Sequence, residues 1–206
     1  MCTGKCAKCI GISLFPFCLV SIVVNVILLF PGWDTEPVQH ASEQLTIEVV
    51  YLGGVVGGGL LVLIPAIHIQ ATGREGCCNN RCGMFLSILF AAVGAVGSLY
   101  GFVASVLGMV RGPQCLFNNG TTLVWGRPFN ENITGLTDIK DFNDESYLFH
   151  KDVWDICTKP KGVVEFNIIL FSMLLTSCAM SMILCIIQMV NGLFGCLCGT
   201  CLKNKD

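Results

Sequence analysis

The stretch Ile10–Phe30, "IGISLFPFCLVSIVVNVILLF", decides the fold of this chain. It carries no charged residue, and at about 1.5 Å of rise per residue a helix of this length crosses a hydrocarbon core of roughly 30 Å. A cleaved signal peptide fits it less well. The apolar run is longer than the usual h-region of about 7–15 residues, and it ends in "FPGW" without the small residues of a cleavage site. Three more charge-free gaps follow, between Glu48 and Arg74, between Arg81 and Arg111, and between Glu165 and Lys203. Of the 206 residues 53% are hydrophobic and only 13% charged, against about 25% charged in an ordinary soluble domain. The expected fold is therefore all-α and integral to the membrane: a bundle of four transmembrane helices with a short first and a larger, disulfide-closed second extracellular loop. The spans are predicted at 10–30, 49–71, 84–110 and 163–190. The outer loops then cover 31–48 and 111–162, the inner turn 72–83, and the tails 1–9 and 191–206.

Four spans put both termini on one side. Lys and Arg divide equally, with Lys5, Lys8, Arg74, Arg81, Lys203 and Lys205 on the side of the termini and Arg111, Arg127, Lys140, Lys151, Lys159 and Lys161 on the other. Their distribution breaks the tie. The first loop holds four acids and no Lys or Arg, whereas the N-terminus and the inner turn carry Lys and Arg close to span ends. The positive-inside rule weights short loops and charges near helix ends, so the termini are predicted to be cytoplasmic. The glycosylation acceptors Asn119-Gly-Thr121 and Asn132-Ile-Thr134 both fall in the large outer loop, which agrees with that orientation.

Cysteines follow the same division. Of fourteen, nine (Cys2, Cys6, Cys9, Cys77, Cys78, Cys82, Cys196, Cys198 and Cys201) cluster at the predicted cytoplasmic helix ends. Cys18, Cys178 and Cys185 lie within spans, and the large outer loop has just Cys115 and Cys157. Two thiols in an oxidising compartment predict one disulfide, which stabilises a loop of this length by roughly 4 kcal/mol in the chain-entropy model. Thiols at the membrane surface beside Lys are typical acceptors for S-palmitoylation, so the nine are palmitoylation candidates. A competing reading is zinc, because Cys6-x-x-Cys9 and Cys198-x-x-Cys201 resemble half-sites of a four-thiolate centre. Simply reduced thiols are the third.

Small residues mark the helix contacts. Gly53 and Gly57, Gly54 and Gly58, and the Gly94, Gly97 and Gly101 set of span three are spaced to let another backbone approach closely. The favoured contact is within one bundle, with a homodimer as the alternative. Polar residues inside the spans are few: Asn25, Gln188, Asn191, and His68 near an inner end. Interhelical hydrogen bonds account for the amides better than transport does, and no buried acid or base is expected apart from His68. In the outer loop, Tyr147, Phe149, Val153, Trp154 and Ile156 suggest one amphipathic helix, either packed on the span ends or presented to a partner.

Enzymatic chemistry finds no support. The three histidines, His40, His68 and His150, fall in no zinc-protease, nucleophile-elbow, phosphate-loop or complete dinucleotide motif, and the acids of "DIKDFNDES" lack EF-hand spacing. No catalytic residue, metal ligand, cofactor or nucleic-acid partner is assigned. The residues alone describe a palmitoylated, glycosylated bundle whose simplest role is lateral interaction. A small-solute channel and a lipid- or sterol-binding protein are the alternatives.

Several segments together resemble one family. "MCTGKCAKCIG" at the start, "NVILLFPGW" closing span one, "GGVVGGGLLVLIPA", "RGPQC", "VVEFNIILFS" and "IQMVNGLFGCLCG" are similar to the L6 branch of transmembrane-4 proteins, the L6-antigen family. The likeness covers nearly the whole chain. The Cys-Cys-Gly of a tetraspanin outer loop is absent, since Cys77-Cys78 belong to the inner turn. The inner turn is also shorter than the family pattern, and Asn167 is followed by Ile-Ile and so starts no sequon. The resemblance implies a plasma-membrane glycoprotein that organises other membrane proteins, among them tetraspanins and integrins, and thereby influences adhesion, migration and growth.

Overall fold

The computed structural model describes residues 3–33, 45–72, 81–118, 120, 122–129 and 146–198. Cys2, Cys77, Cys78, Cys201, His40, Asn119 and Asn132 lie outside the described residues, and nothing is described of the Cys198 side chain.

Four helices are long and apolar enough to cross a membrane: α1 (Thr3–Leu28), α2 (Ile47–Thr72), α3 (Arg81–Arg111) and α4 (Val163–Cys198). Each packs on its neighbours in sequence, and α4 closes on α1. The apolar composition extends around every helix, so the buried face is marked by small and polar residues set among aliphatics such as Ile10, Leu14, Val24 and Leu28. Gly4, Ala7, Gly11, Ser21 and Asn25 face inward on α1, while Leu19, Val23 and Val26 face out. Small and polar residues on the inward face are expected where the solvent is hydrocarbon: aliphatics gain little by leaving lipid, and small side chains let helices approach.

The helices outrun the apolar stretches at the end of the bundle that carries both termini, here called the inner end, the end with the cap being the outer. Helix α1 begins at Thr3, whose carbonyl accepts a hydrogen bond from Asn191 Nδ2 at 3.1 Å. Gly192 and Gly195 of α4 lie against Met84 at the start of α3. These contacts carry Cys6, Cys9, Cys82 and Cys196 on helical turns.

Beyond Arg111 the chain forms a cap. Strands β1 (Cys115–Asn118) and β2 (Leu123–Gly126) pair antiparallel, with Leu116 opposite Trp125. Leu116 also exchanges backbone hydrogen bonds with Thr158 and Lys159. A disulfide joins Cys115 to Cys157. Cys115, Phe129, Tyr147, Cys157, Val163 and Val164 make the core of the cap, set on the outer end of α4.

The amphipathic helix expected around Tyr147–Ile156 is absent. A turn at 147–149 leads instead into a 3₁₀ helix, Lys151–Ile156. Tyr147 explains the change. Its ring stacks on Phe129 at 4.4 Å, its hydroxyl donates to the Met109 carbonyl, and its own carbonyl accepts from Trp154 Nε1 at 2.8 Å. Buried this way, it draws the chain into a tight turn and leaves Phe149 and Ile156 exposed.

Candidate functional site

The structure concentrates its unusual chemistry where α2 enters the membrane. After a first turn, Ile47–Val50, the helix breaks: Leu52 takes a left-handed conformation at φ 51°, ψ 36°, which costs a residue with a Cβ about 1–2 kcal/mol. A π-helix, Gly53–Leu60, follows before regular α-helix resumes at Leu61. Orphaned backbone groups cost several kcal/mol in a bilayer, so such a break survives only if they find partners. Two side chains supply them. Asn25 Oδ1 on α1 accepts from Gly54 N at 2.8 Å and Val55 N at 3.1 Å, and the Tyr100 hydroxyl on α3 donates to the Tyr51 carbonyl at 2.9 Å.

The glycines of this segment are clasped from two sides. A Cβ on Gly57 would lie 2.6 Å from the Gly97 carbonyl oxygen, one on Gly53 2.8 Å from Ala104 Cβ, and one on Gly101 2.9 Å from the Gly53 oxygen. On the opposite flank, a Cβ on Gly54 would meet Asn25 and Leu174, and one on Gly58 would meet Ser21 and Cys178. Gly94 abuts Cys185 and Pro65, and Gly97 abuts Leu61. All seven glycines singled out in sequence thus make close contacts within the chain. Sequence reading passed over Gly108, against the Phe171 ring, and Gly11, against Gln70.

Above the break sits a correction. Glu48, taken in sequence as a loop acid flanking the span, is only 3% exposed. Its Oε1 accepts from Arg111 and Arg127 at 3.1 Å each, and its Oε2 from Arg127 at 2.6 Å. One carboxylate therefore ties together the first turn of α2, the end of α3 and the residue following β2. The arginines are 63 and 79 positions away, so no local pattern announces the cluster. Nearby, burial pushes the Tyr147 phenol above the ordinary tyrosine range.

The inner end uses neutral groups. Gln188 Nε2 donates to Ser87 Oγ at 3.1 Å, and Asn191 Nδ2 donates to Gln188 Oε1 at 3.2 Å as well as to Thr3. Midway, Ser177 Oγ donates to the Phe17 carbonyl at 2.8 Å and lies 3.0 Å from Ser21 Oγ. His68 rests on the Phe90 ring at 4.5 Å, and its Nε2 has no hydrogen-bond partner among the described residues.

The thiols fall into two groups. Cys6, Cys9 and Cys82 are exposed at the inner helix ends and Cys196 is half-buried there, whereas Cys18, Cys178 and Cys185 are buried in the bundle. Among the described residues no three Cys, His, Asp or Glu side chains come together as a metal site. A lipid-facing notch of about 360 Å³ opens between α1 and α4, lined by Phe17, Val20, Ser172, Met173, Thr176 and Ser177.

Four apolar helices and a disulfide-braced cap between the third and fourth define a four-pass membrane protein. Its sequence narrows the class further. The pattern of the L6 membrane protein family matches residues 1–202. Human transmembrane 4 L6 family member 5 is 40% identical over 211 residues, covering 100% of this chain and 98% of that protein. Rat member 4 is 39% identical over 98% of this chain and 94% of its own length. Human member 1 is 37% identical over 100% of this chain and 98% of its own length. The chain belongs to the L6 membrane protein family. No solved structure matches it.

Proposed function

We propose that this protein is a non-enzymatic glycoprotein of the plasma membrane, with both termini in the cytoplasm, that gathers other membrane proteins laterally. The observation that carries the reading is the cap. Leu123 and Trp125 of β2 are 58% and 37% exposed and Ile156 of the 3₁₀ helix 44% exposed, all outside the four spans. Apolar side chains displayed on an element fixed to the bundle by Glu48 suit recognition of another ectodomain. Partners of the tetraspanin and integrin kind, and an influence on adhesion, migration and growth, follow from the family resemblance.

Two modifications belong to the proposal. Glycans on Asn119 and Asn132 would shield part of the outer loop. Palmitoyl thioesters on several of Cys2, Cys6, Cys9, Cys77, Cys78, Cys82, Cys196, Cys198 and Cys201 would hold the helix ends to the inner leaflet. The exposed positions of Cys6, Cys9 and Cys82 support this. Intact mass before and after hydroxylamine and glycosidase tests both, and an unmodified chain would refute them.

Crosslinking on living cells, followed by identification of the membrane proteins that co-purify, tests the organiser role. The double variant Leu123→Ser, Trp125→Ser is expected to lose partners while reaching the surface at the wild-type level; an unchanged partner set rejects the cap as the recognition surface. The lipid-facing notch favours a second reading, lipid or sterol binding. Saturable labelling there by a sterol photoprobe would support it.

A further inference from the structure

We propose that the outer turn of α2, Ile47–Leu52, is a movable segment hinged at Leu52 and carried by the cap through Glu48, with the π-helix Gly53–Leu60 taking up the motion by rewinding to α-helix.

Three observations meet here. First, the break is built rather than accidental. Leu52 is the only non-glycine residue with positive φ among the described residues, and the groups it exposes are capped from two different helices by Asn25 and Tyr100. Left-handed leucine and π-helix are both less stable than a continuous α-helix, and persist only where the surroundings over-determine them. The alternative winding is thus close at hand.

Second, the turn above the break is fastened to the cap more firmly than to the helix below. Glu48 holds Arg127 of the cap as well as Arg111 where α3 ends, and Thr46 Oγ1 accepts from the Gln114 amide of the cap at 3.4 Å. Below, continuity passes through a single strained residue. Val49, packed in the outer core with Leu28, Leu170 and Phe171, sets the resting position. A displacement of the cap pulls on Glu48 and loads the hinge.

Third, the segment that would rewind carries Val55, Val56 and Leu60 but meets both flanks with glycine. Gly53 and Gly57 face α3, while Gly54 and Gly58 face α1 and α4. Changing from i→i+5 to i→i+4 bonding rotates the turns above it, and glycines on adjacent positions keep a Cβ from striking either neighbour during that rotation. The change is a step between two bonding patterns, not a continuous bend, as helix register shifts generally are. In the rewound position Gly54 and Val55 surrender Asn25 Oδ1, so an event at the cap is felt on the last turn of α1.

Hydrogen–deuterium exchange on the full-length protein in lipid nanodiscs tests this. Glu48→Gln weakens the grip of both arginines without changing shape. It is expected to speed exchange in peptides covering 52–58 about tenfold, with the α3–α4 core unchanged. Leu52→Asn accepts the left-handed conformation more readily than leucine, without glycine's added freedom, and is expected to slow exchange in the same peptides several-fold. The proposal is overturned if Glu48→Gln loosens only the cap peptides and leaves 52–58 protected, or loosens the whole bundle uniformly. Exchange at 52–58 that Leu52→Asn leaves unchanged or raises overturns it independently, even where Glu48→Gln fails to fold.

Discussion

The two ends of the bundle are fastened by different chemistry. At the outer end one buried carboxylate holds two guanidiniums; at the inner end carboxamides of Gln188 and Asn191 reach Ser87 and Thr3. Neutral bonds survive the loss of a partner cheaply, because an amide left alone keeps no net charge. A buried carboxylate does not. The outer joint is thus the more vulnerable of the two.

That contrast can be broken by substitution. Arg127 is 15% exposed and gives Glu48 two hydrogen bonds, so Arg127→Met, which leaves the buried carboxylate only its one bond from half-exposed Arg111, should cost up to about 3–5 kcal/mol, read as lost thermal stability in detergent and a released cap. Gly57→Val tests the glycine joint between the ends. Its Cβ would lie 2.6 Å from the Gly97 oxygen, and overpacking of this kind costs about 1–3 kcal/mol. Gln188→Leu should cost only about 0.6–1.7 kcal/mol, the range of interhelical hydrogen bonds in membranes. Arg111→Ala should fall below about 1 kcal/mol, because that side chain is 45% exposed and solvent already screens it. If Gln188→Leu matched Arg127→Met, the distinction between charged and neutral ends would collapse. Added salt sharpens it: the melting temperature of wild type should hardly fall, because Glu48 and Arg127 are buried from the solvent that screens exposed pairs.

The number of helices and their place in the chain are legible in the sequence, because the hydrocarbon core demands long charge-free runs. The Cys115–Cys157 bond is legible too, since those are the two thiols of the outer loop. The glycine spacing marks α2 and α3 as close-packing helices. What stays hidden depends on distant partners. Glu48 reads as a loop acid until arginines remote in sequence close on it, although its position directly before Val49 and Val50 was a usable hint. The break at Leu52 is invisible, because nothing distinguishes a glycine run in π-helix from one in α-helix until Asn25 and Tyr100 arrive. In the cap, aromatic spacing suggested a helix that the burial of Tyr147 forbids. The β1–β2 hairpin gave little sign of itself.

The glycines of α2 and α3 have one more consequence. Spent on contacts inside the chain, they are not offered to the outside, where the belt is made of Leu19, Val23, Ile64, Val96 and Ile183. Branched aliphatics are hardly distinguishable from lipid tails, so a neighbouring helix gains little by displacing lipid from them. Such a belt offers little to tell one neighbouring helix from another. Discrimination among neighbours falls to surfaces that stand clear of the hydrocarbon.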